Sequence, residues 1–288
     1  MSMKGEATVD LRELMTIIER DAARSEDAVR AILSEDANER YKGYTWLHKT
    51  LSRLQNDEKA LKENASFYVP LLAGCLARLT NGESGHERTL EVLTVINLLG
   101  LFPSRVAALP LSNLRFEALS LSDFRLDFAD LRRSVFSDMR LVSGVMSDAD
   151  ISHARFEDSL LRGVSLDRVI GKRARMERVT FDKGSASEAR FKDSEFLECE
   201  FADVDLSKAL FAACDLGGTT FEGCKLGKTD FAYSSLLGVR ISGSDVAGAH
   251  FYNTDLRGAD LRAARNLKAS QLETAIVGDD TRLPDNIR

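Results

Sequence analysis

From Leu111 to Leu261 every fifth residue is a large apolar one, except at Gly171 and Ala186. The series opens Leu111, Phe116, Leu121, Leu126, Leu131, Phe136, Leu141 and keeps phase over 31 positions. A period of five is neither helical (about 3.6) nor that of a half-buried strand (about 2). It marks a repeat architecture, which decides the fold before any local propensity does. Call the large apolar residue the centre. The position two residues before it is also restricted. From Leu114 to Ala264, 27 of 31 such positions are Ala, Ser, Thr, Cys, Val or Gly, and the four large ones, Leu114, Leu119, Phe124 and Met139, fall early. One large and one small inward residue per five describes a thin tube with little interior space.

The units Ala129-Asp130-Leu131, Ala149-Asp150-Ile151, Val204-Asp205-Leu206, Cys214-Asp215-Leu216, Thr254-Asp255-Leu256 and Ala259-Asp260-Leu261 resemble the pentapeptide-repeat family, whose unit reads A(D/N)LXX. The resemblance covers about half the chain. It implies a right-handed quadrilateral parallel β-helix, one pentad per side and twenty residues per turn. The expected fold class is therefore α+β: this solenoid, capped by an N-terminal all-α domain and a short C-terminal helix. The expected boundaries are 1–110, 111–265 and 266–288.

A twenty-residue turn stacks like on like. Phe116, Phe136 and Phe156 share one side, Phe181, Phe201 and Phe221 another, and Phe191, Phe211, Phe231 and Phe251 a third. Charges follow the same interval. Arg173, Arg175, Arg178 and Lys183 precede Asp193, Glu195, Glu198 and Asp203 by twenty, Glu188 precedes Lys208, and Asp205, Lys225 and Asp245 alternate in sign. Such ladders set register more than they add stability. About eight coils at ~4.8 Å make a solenoid roughly 37 Å long. A bulge is expected near 166–190, with Ile170 taking the inward role beside Gly171.

Residues 1–110 read as helices that cover one end of the coil, an edge that would otherwise invite aggregation. Helices are expected over 10–20, 26–34, 36–54 (capped by Asp36, with Tyr44, Leu47 and Leu51 inward) and 57–67. A further helix starts at Pro70. Ser84 and Glu87 form a capping box before 87–99, which is apolar nearly all round and so expected to be buried. Paired helices of this length suggest a HEAT- or armadillo-like pack. Leu114, Leu119, Phe124 and Met139 would form the socket where it docks. In the tail, Ser270 and Glu273 form a second capping box for a short helix ending at Gly278, which closes the last coil or supplies a homodimer contact.

Composition narrows the function. The net charge is −6, without the basic face that direct nucleic-acid binding demands. No signal peptide and no membrane-length apolar run is visible, and four cysteines fit a reducing compartment, so a cytoplasmic protein is expected. Cys199, Cys214 and Cys224 sit at the small inward position. No catalytic, cofactor or metal site is expected. His48, His86, His153 and His250 are scattered. Gly223-Cys224-Lys225-Leu226-Gly227-Lys228-Thr229 is one residue short of a phosphate loop and lies in repeat phase. Asn64-Ala65-Ser66 is a glycosylation sequon by pattern alone. Ser84, His86 and Glu87 form the one candidate cluster of an enzyme, and capping accounts for two of them. The expectation is a non-enzymatic protein-binding scaffold with an unknown protein partner. The family resemblance adds two alternatives: a DNA-mimic modulator of a type II topoisomerase (gyrase), which needs an acidic rod, and a secreted effector.

Overall fold

The computed structural model describes residues 26–54, 56–80, 86–102 and 109–287. The helix expected over 10–20 and the Ser84 cap lie outside these. The chain divides into two compact units, Met1–Pro110 and Leu111–Arg288.

The first unit contains helices α1 (Glu26–Ile32), α2 (Ala37–Arg53), α3 (Glu58–Thr80) and α4 (His86–Leu99). Asp36 caps α2 as expected, its Oδ1 accepting from the amides of Asn38 (2.7 Å) and Glu39 (3.1 Å). Gly43, Tyr44, Leu47 and Leu51 form the buried face. The expected break at Pro70 does not occur: α3 runs through it. Proline there removes one backbone bond and crowds the carbonyl of Ser66. The buried series Leu61, Ala65, Tyr68, Leu72, Cys75 and Leu76 continues across it, and burial of that face outweighs the local penalty. In α4 the buried face is Val92, Val95, Ile96, Leu98 and Leu99, while Leu90 is exposed. Its Glu91 is buried and ion-paired with Arg40, whose Nη2 lies 2.8 Å from Oε2. Tyr44 donates to the same carboxylate at 3.0 Å.

The second unit is a parallel solenoid of about eight four-sided coils. Its strands pair in register at twenty residues, as in Phe116↔Phe136, Phe181↔Phe201 and Phe201↔Phe221. Four walls result. Wall A carries centres Leu111 to Phe251, wall B Phe116 to Leu256, wall C Leu121 to Leu261 and wall D Leu126 to Val246, each at intervals of twenty. The aromatic columns stack as expected. Phe116, Phe136 and Phe156 follow at 4.8 and 4.3 Å between ring centroids. Phe191, Phe211, Phe231 and Phe251 follow at 5.2, 5.5 and 5.5 Å.

The backbone groups of a pentad are almost all accounted for. The centre, the residue before it and the second residue after it bond to neighbouring coils, as in Leu111 N–H to Asp130 O (2.9 Å), Val135 N–H to Leu114 O (2.8 Å) and Asn113 N–H to Arg132 O (2.9 Å). Many small inward residues close a turn within the coil, as Ala129 N–H does onto Leu126 O (3.2 Å). The amide just after the centre is left. In pentads with Asp before the centre, that carboxylate accepts it: Asp150 from Ser152 N–H (2.9 Å), Asp205 from Ser207 N–H (3.0 Å), Asp255 from Arg257 N–H (3.2 Å). This Asx turn is the physical reason for the acidic residue of the repeat.

The second residue after the centre forms the corner. All thirty such positions from Asn113 to Gly258 have positive φ, seven of them glycine. L residues reach this left-handed region at a penalty of about 1–2 kcal/mol. None of the thirty is Val, Ile, Thr, Leu or Pro, the types whose bulk near the backbone or fixed φ fits least.

The expected bulge near 166–190 is absent. Gly171 stays in phase at the centre, Ile170 faces solvent, and bridges Asp150↔Ile170↔Arg190 hold the register. The space is filled from the next coil: a Cβ on Gly171 would lie 2.6 Å from Phe191 Cδ1. Similarly, the Phe124 ring occupies the space of a Cβ on Gly144, and the early large residues Leu114, Leu119, Phe124 and Met139 are all buried. The real irregularity lies at the end, where the pairing of Arg240–Asp245 with Asp260–Arg265 shifts register.

The tail also differs from expectation. It holds two short 3-10 turns, Ala269–Gln271 and Asp285–Ile287, and the first is capped by Gln271 Oε1 accepting from Lys268 N–H (2.8 Å) instead of by Ser270 and Glu273. Between them the chain winds on as another partial coil, bridged at Asp255↔Ile276 and Asp260↔Arg282. Unpaired backbone on the last coil recruits the tail as strand more effectively than so short a helix could be held together.

Candidate interaction surface

The solenoid interior is closed. Its hydroxyls and thiols saturate the turns: Ser234 accepts Cys214 N–H (3.0 Å) and donates to Phe211 O, and Thr229 donates to Leu206 O (2.9 Å). Cys199, Cys214 and Cys224 are buried and unpaired with one another. Burial pushes their thiols up, to about 12, 12 and 11 respectively, so they are packing groups without nucleophilic character. In the loop-like stretch Gly223–Thr229, Gly223 is a corner (φ +62°) and Leu226 a buried centre. Lys225 pairs with Asp205 at 3.1 Å. This is coil, with no helix behind it to face a phosphate. Asn64 lies within α3 and donates to Ala60 O. His86 and Glu87 open α4. His153 is at a wall A corner and His250 just before a wall A centre, both exposed.

Chemistry directed outward is therefore what distinguishes one wall from another. Wall B carries nine acids and five bases; walls C and D each carry six and five; wall A carries four acids and six bases. On walls B and D most bases are neutralised locally. Arg175 binds Glu195 (2.9 Å) and Glu177 (3.0 Å), Arg168 binds Asp148 (2.6 Å), and Lys208 binds Glu188 (2.9 Å). The twenty-residue ladder is realised only in part. Arg178 does not reach up to Glu198; it reaches down to Asp158 (2.6 Å) and sideways to Glu177. Its long side chain finds two carboxylates there, and a bidentate pair outcompetes a single contact. Lys183–Asp203 and Lys225–Asp245 likewise make no ion pair among the described residues, whereas Arg162–Asp182 does (2.6 Å).

Wall A behaves differently. Arg132 pairs with Asp130 (2.7 Å). The other five cations, Arg133, Lys172, Arg173, Arg190 and Lys192, are exposed, and the described residues place no carboxylate within ion-pair distance of them, Asp193 included. Ile170 and Leu210, 41% and 40% exposed, stand two coils apart in the column before the centre, with Arg190 between them. Further along, Tyr233 and Tyr252, 63% and 49% exposed, meet edge to face at 5.4 Å, flanked by Ala212, Ala213 and Ala232. Apolar and aromatic groups beside unpaired cations form a coherent patch, whereas Phe128 on wall D and Leu237 on wall B are each the one large exposed apolar residue among the pentads of their walls.

The linear sequence hides this patch. Its members are scattered over 120 residues, and charge counts along the chain average them with the other walls. Sorting outward residues by position modulo twenty would have exposed it.

Family models agree with the coil. A model described as pentapeptide repeat region matches residues 174–251 and one described as pentapeptide repeats (8 copies) matches 240–276. No curated protein sequence matches. Among solved structures, QnrB1, a plasmid-mediated fluoroquinolone resistance protein, shares 18% identity over 57% of this chain and 92% of its own, with a TM-score of 0.38. HetL, a pentapeptide repeat protein involved in heterocyst differentiation regulation from the cyanobacterium Nostoc sp. Strain PCC 7120, shares 17% over 59% and 85%, with a TM-score of 0.30. The matched repeats, the twenty-residue register and the four-walled coil together show that the solenoid of this chain is built of pentapeptide repeats.

Proposed function

We propose that this chain is a non-enzymatic protein-binding scaffold, working in the cytoplasm, whose solenoid walls present side chains at fixed spacing. The supporting observation is the contrast between walls. Among the described residues five of the six wall A cations lack a carboxylate partner, whereas wall C leaves three of five and walls B and D one of five each. Ion pairs that serve only register would be spread evenly, and an unneutralised array beside exposed Tyr and Leu is the composition of a recognition surface. Because the interior is satisfied within the coil, outward residues other than the corner and the Asx-turn aspartate can vary without disturbing the fold. The test is site-specific photo-crosslinking in cells with a photoreactive phenylalanine at Tyr233, Tyr252 or, on wall C, Thr220. A protein adduct from wall A positions and none from Thr220 supports the reading; no adduct from any wall overturns it.

The acid excess on wall B favours a second reading, modulation of a type II topoisomerase by DNA mimicry. Against it, Glu157, Asp158, Glu177, Glu195 and Asp255 are tied to arginines on the same wall, leaving little open negative field. A gyrase supercoiling assay separates the two: activity unchanged at micromolar protein removes this reading. No described helix is long and apolar enough to cross a membrane.

A further inference from the structure

The geometry points to the chemistry of the partner: wall A is built to receive an acidic amphipathic helix lying parallel to the solenoid axis. This inference rests on the scaffold reading and goes beyond it by naming the occupant and its direction.

Charge complementarity is the first argument. Lys172 and Arg173 on one coil and Arg190 and Lys192 on the next form a two-coil array with Asp193 as its single acid. Neighbouring coils repeat at about 4.8 Å and alternate residues along a strand at about 6.6 Å. Four cations packed this closely repel one another, with Glu188, among the described residues, the one neighbouring carboxylate that feels Arg190, and an anionic surface laid over them relieves that repulsion.

Spacing is the second argument. Ile170 and Leu210 stand two coils apart, about 9.6 Å along the axis. An α-helix rises 5.4 Å per turn, and residues i and i+7 lie about 10.5 Å apart on one stripe. A helix parallel to the axis can therefore set successive turns against successive coils. Its apolar stripe meets Ile170 and Leu210, and carboxylates beside that stripe reach Lys172, Lys192 and Arg173. An extended peptide repeats at about 6.6–6.8 Å and matches the direction along a wall, so it spans one coil and meets only half of the array. The Tyr233–Tyr252 pair continues the same surface towards the C-terminal coils, where the helix would bury a further apolar side chain.

The border of the patch argues against nucleic acid. Asp130, Asp150, Asp193 and Asp230 lie on the same wall, and each repels a passing phosphate. A helix with mixed side chains can place neutral or basic residues there.

The test uses the full chain and fluorescence anisotropy with labelled probes. One is a Glu/Leu amphipathic helix of about 18 residues, one its Lys/Leu counterpart, and one an oligothymidylate of similar length. The Glu/Leu helix is expected to bind with a salt-sensitive Kd, and the Lys/Leu helix not to bind. Lys172→Glu, Arg173→Glu and Lys192→Glu together should weaken binding by about tenfold or more, about 1.4 kcal/mol per decade. An equal reversal elsewhere, Arg140→Glu, Arg240→Glu and Lys228→Glu, should leave it within about twofold. All six residues are exposed and outside ion pairs, so both variants should keep the wild-type circular dichroism spectrum. Neutralisation to Gln at the three wall A positions provides a second variant should the reversal perturb folding. Equal losses in both reversal variants, tighter binding of the oligothymidylate, or no binding of the Glu/Leu helix would overturn the inference. Crosslinks from any wall in the cellular assay would still leave the scaffold reading standing.

Discussion

Two glycines isolate the strain that the corners impose. At Gly238 φ is +66° and an added Cβ would meet nothing within 4 Å. At Gly227 the backbone is outside the left-handed region and the nearest atom to a Cβ would be Ala247 O at 3.8 Å. Neither substitution to alanine creates a clash, so packing drops out of the comparison. Both variants gain about 0.4–1 kcal/mol because alanine restricts the unfolded chain. Only Gly238→Ala meets the left-handed penalty of about 1–2 kcal/mol. The expected outcome is Gly227→Ala stabilised by about 0.4–1 kcal/mol. Gly238→Ala should be destabilised by roughly 0–1.6 kcal/mol, the separation between the two being the strain itself, about 1–2 kcal/mol. Gly238→Val should fall further, because branching at Cβ crowds that conformation more, and Gly238→Asn less. Urea unfolding followed by far-ultraviolet circular dichroism reads this directly. With an m-value near 2 kcal/mol/M the two alanine variants should differ in midpoint by about 0.5–1 M. Midpoints that move together, in either direction, would refute the view that each corner carries backbone strain.

The other predictions concern packing, charge and thiols. Gly171→Leu should be strongly destabilising, because the Phe191 ring already fills that space; adding Phe191→Ala should recover part of the loss, a coupling of about 0.5–3 kcal/mol in a double-mutant cycle. Asp260 is held down at about 2 by side-chain hydrogen bonds from Arg262, at 3.0 and 2.6 Å. A depressed carboxylate contributes stability above its unfolded value near 3.9 and loses it as pH falls through about 2. Its NMR titration midpoint should therefore lie near 2, and Asp260→Asn should flatten the acid limb of the stability curve. The exposed partner limits the neutral-pH loss to about 1 kcal/mol or less. Cys199, Cys214 and Cys224 should resist Ellman's reagent in native buffer and react only as urea opens the solenoid, in step with the circular dichroism transition. Rapid native labelling at any of the three would contradict their placement inside the coil.

Much of this protein was legible in one dimension. A five-residue period marks a repeat coil, and the resemblance to pentapeptide repeats implies four sides and so a twenty-residue turn. Phe191 above Gly171, Phe211 above Phe191 and the rest of the aromatic columns could therefore be read off by subtraction. The corner signal was also present in the thirty positions without a β-branched residue, Leu or Pro, although the five-period apolar pattern draws attention away from it. Cap residues such as Asp36 were readable because their partners lie two or three residues away.

What resisted reading has a common cause. Gly171 suggests a broken coil because a missing side chain looks like a local defect, yet the ring that fills it arrives from twenty residues later. Pro70 suggests the start of a helix because its local penalty is fixed, yet burial on both sides carries α3 through. Interval alone matches Arg178 with Glu198, yet a long exposed side chain chooses among several carboxylates at similar reach. The amino-acid order by itself determined the coil, its register and its aromatic spine, because a repeated backbone constraint multiplies over thirty pentads until no alternative competes. Only the tertiary structure decided which cations remain unpaired, how the tail ends and where an outward patch assembles. Those outcomes depend on single contacts of comparable energy between residues far apart in the chain, and no repeat amplifies them.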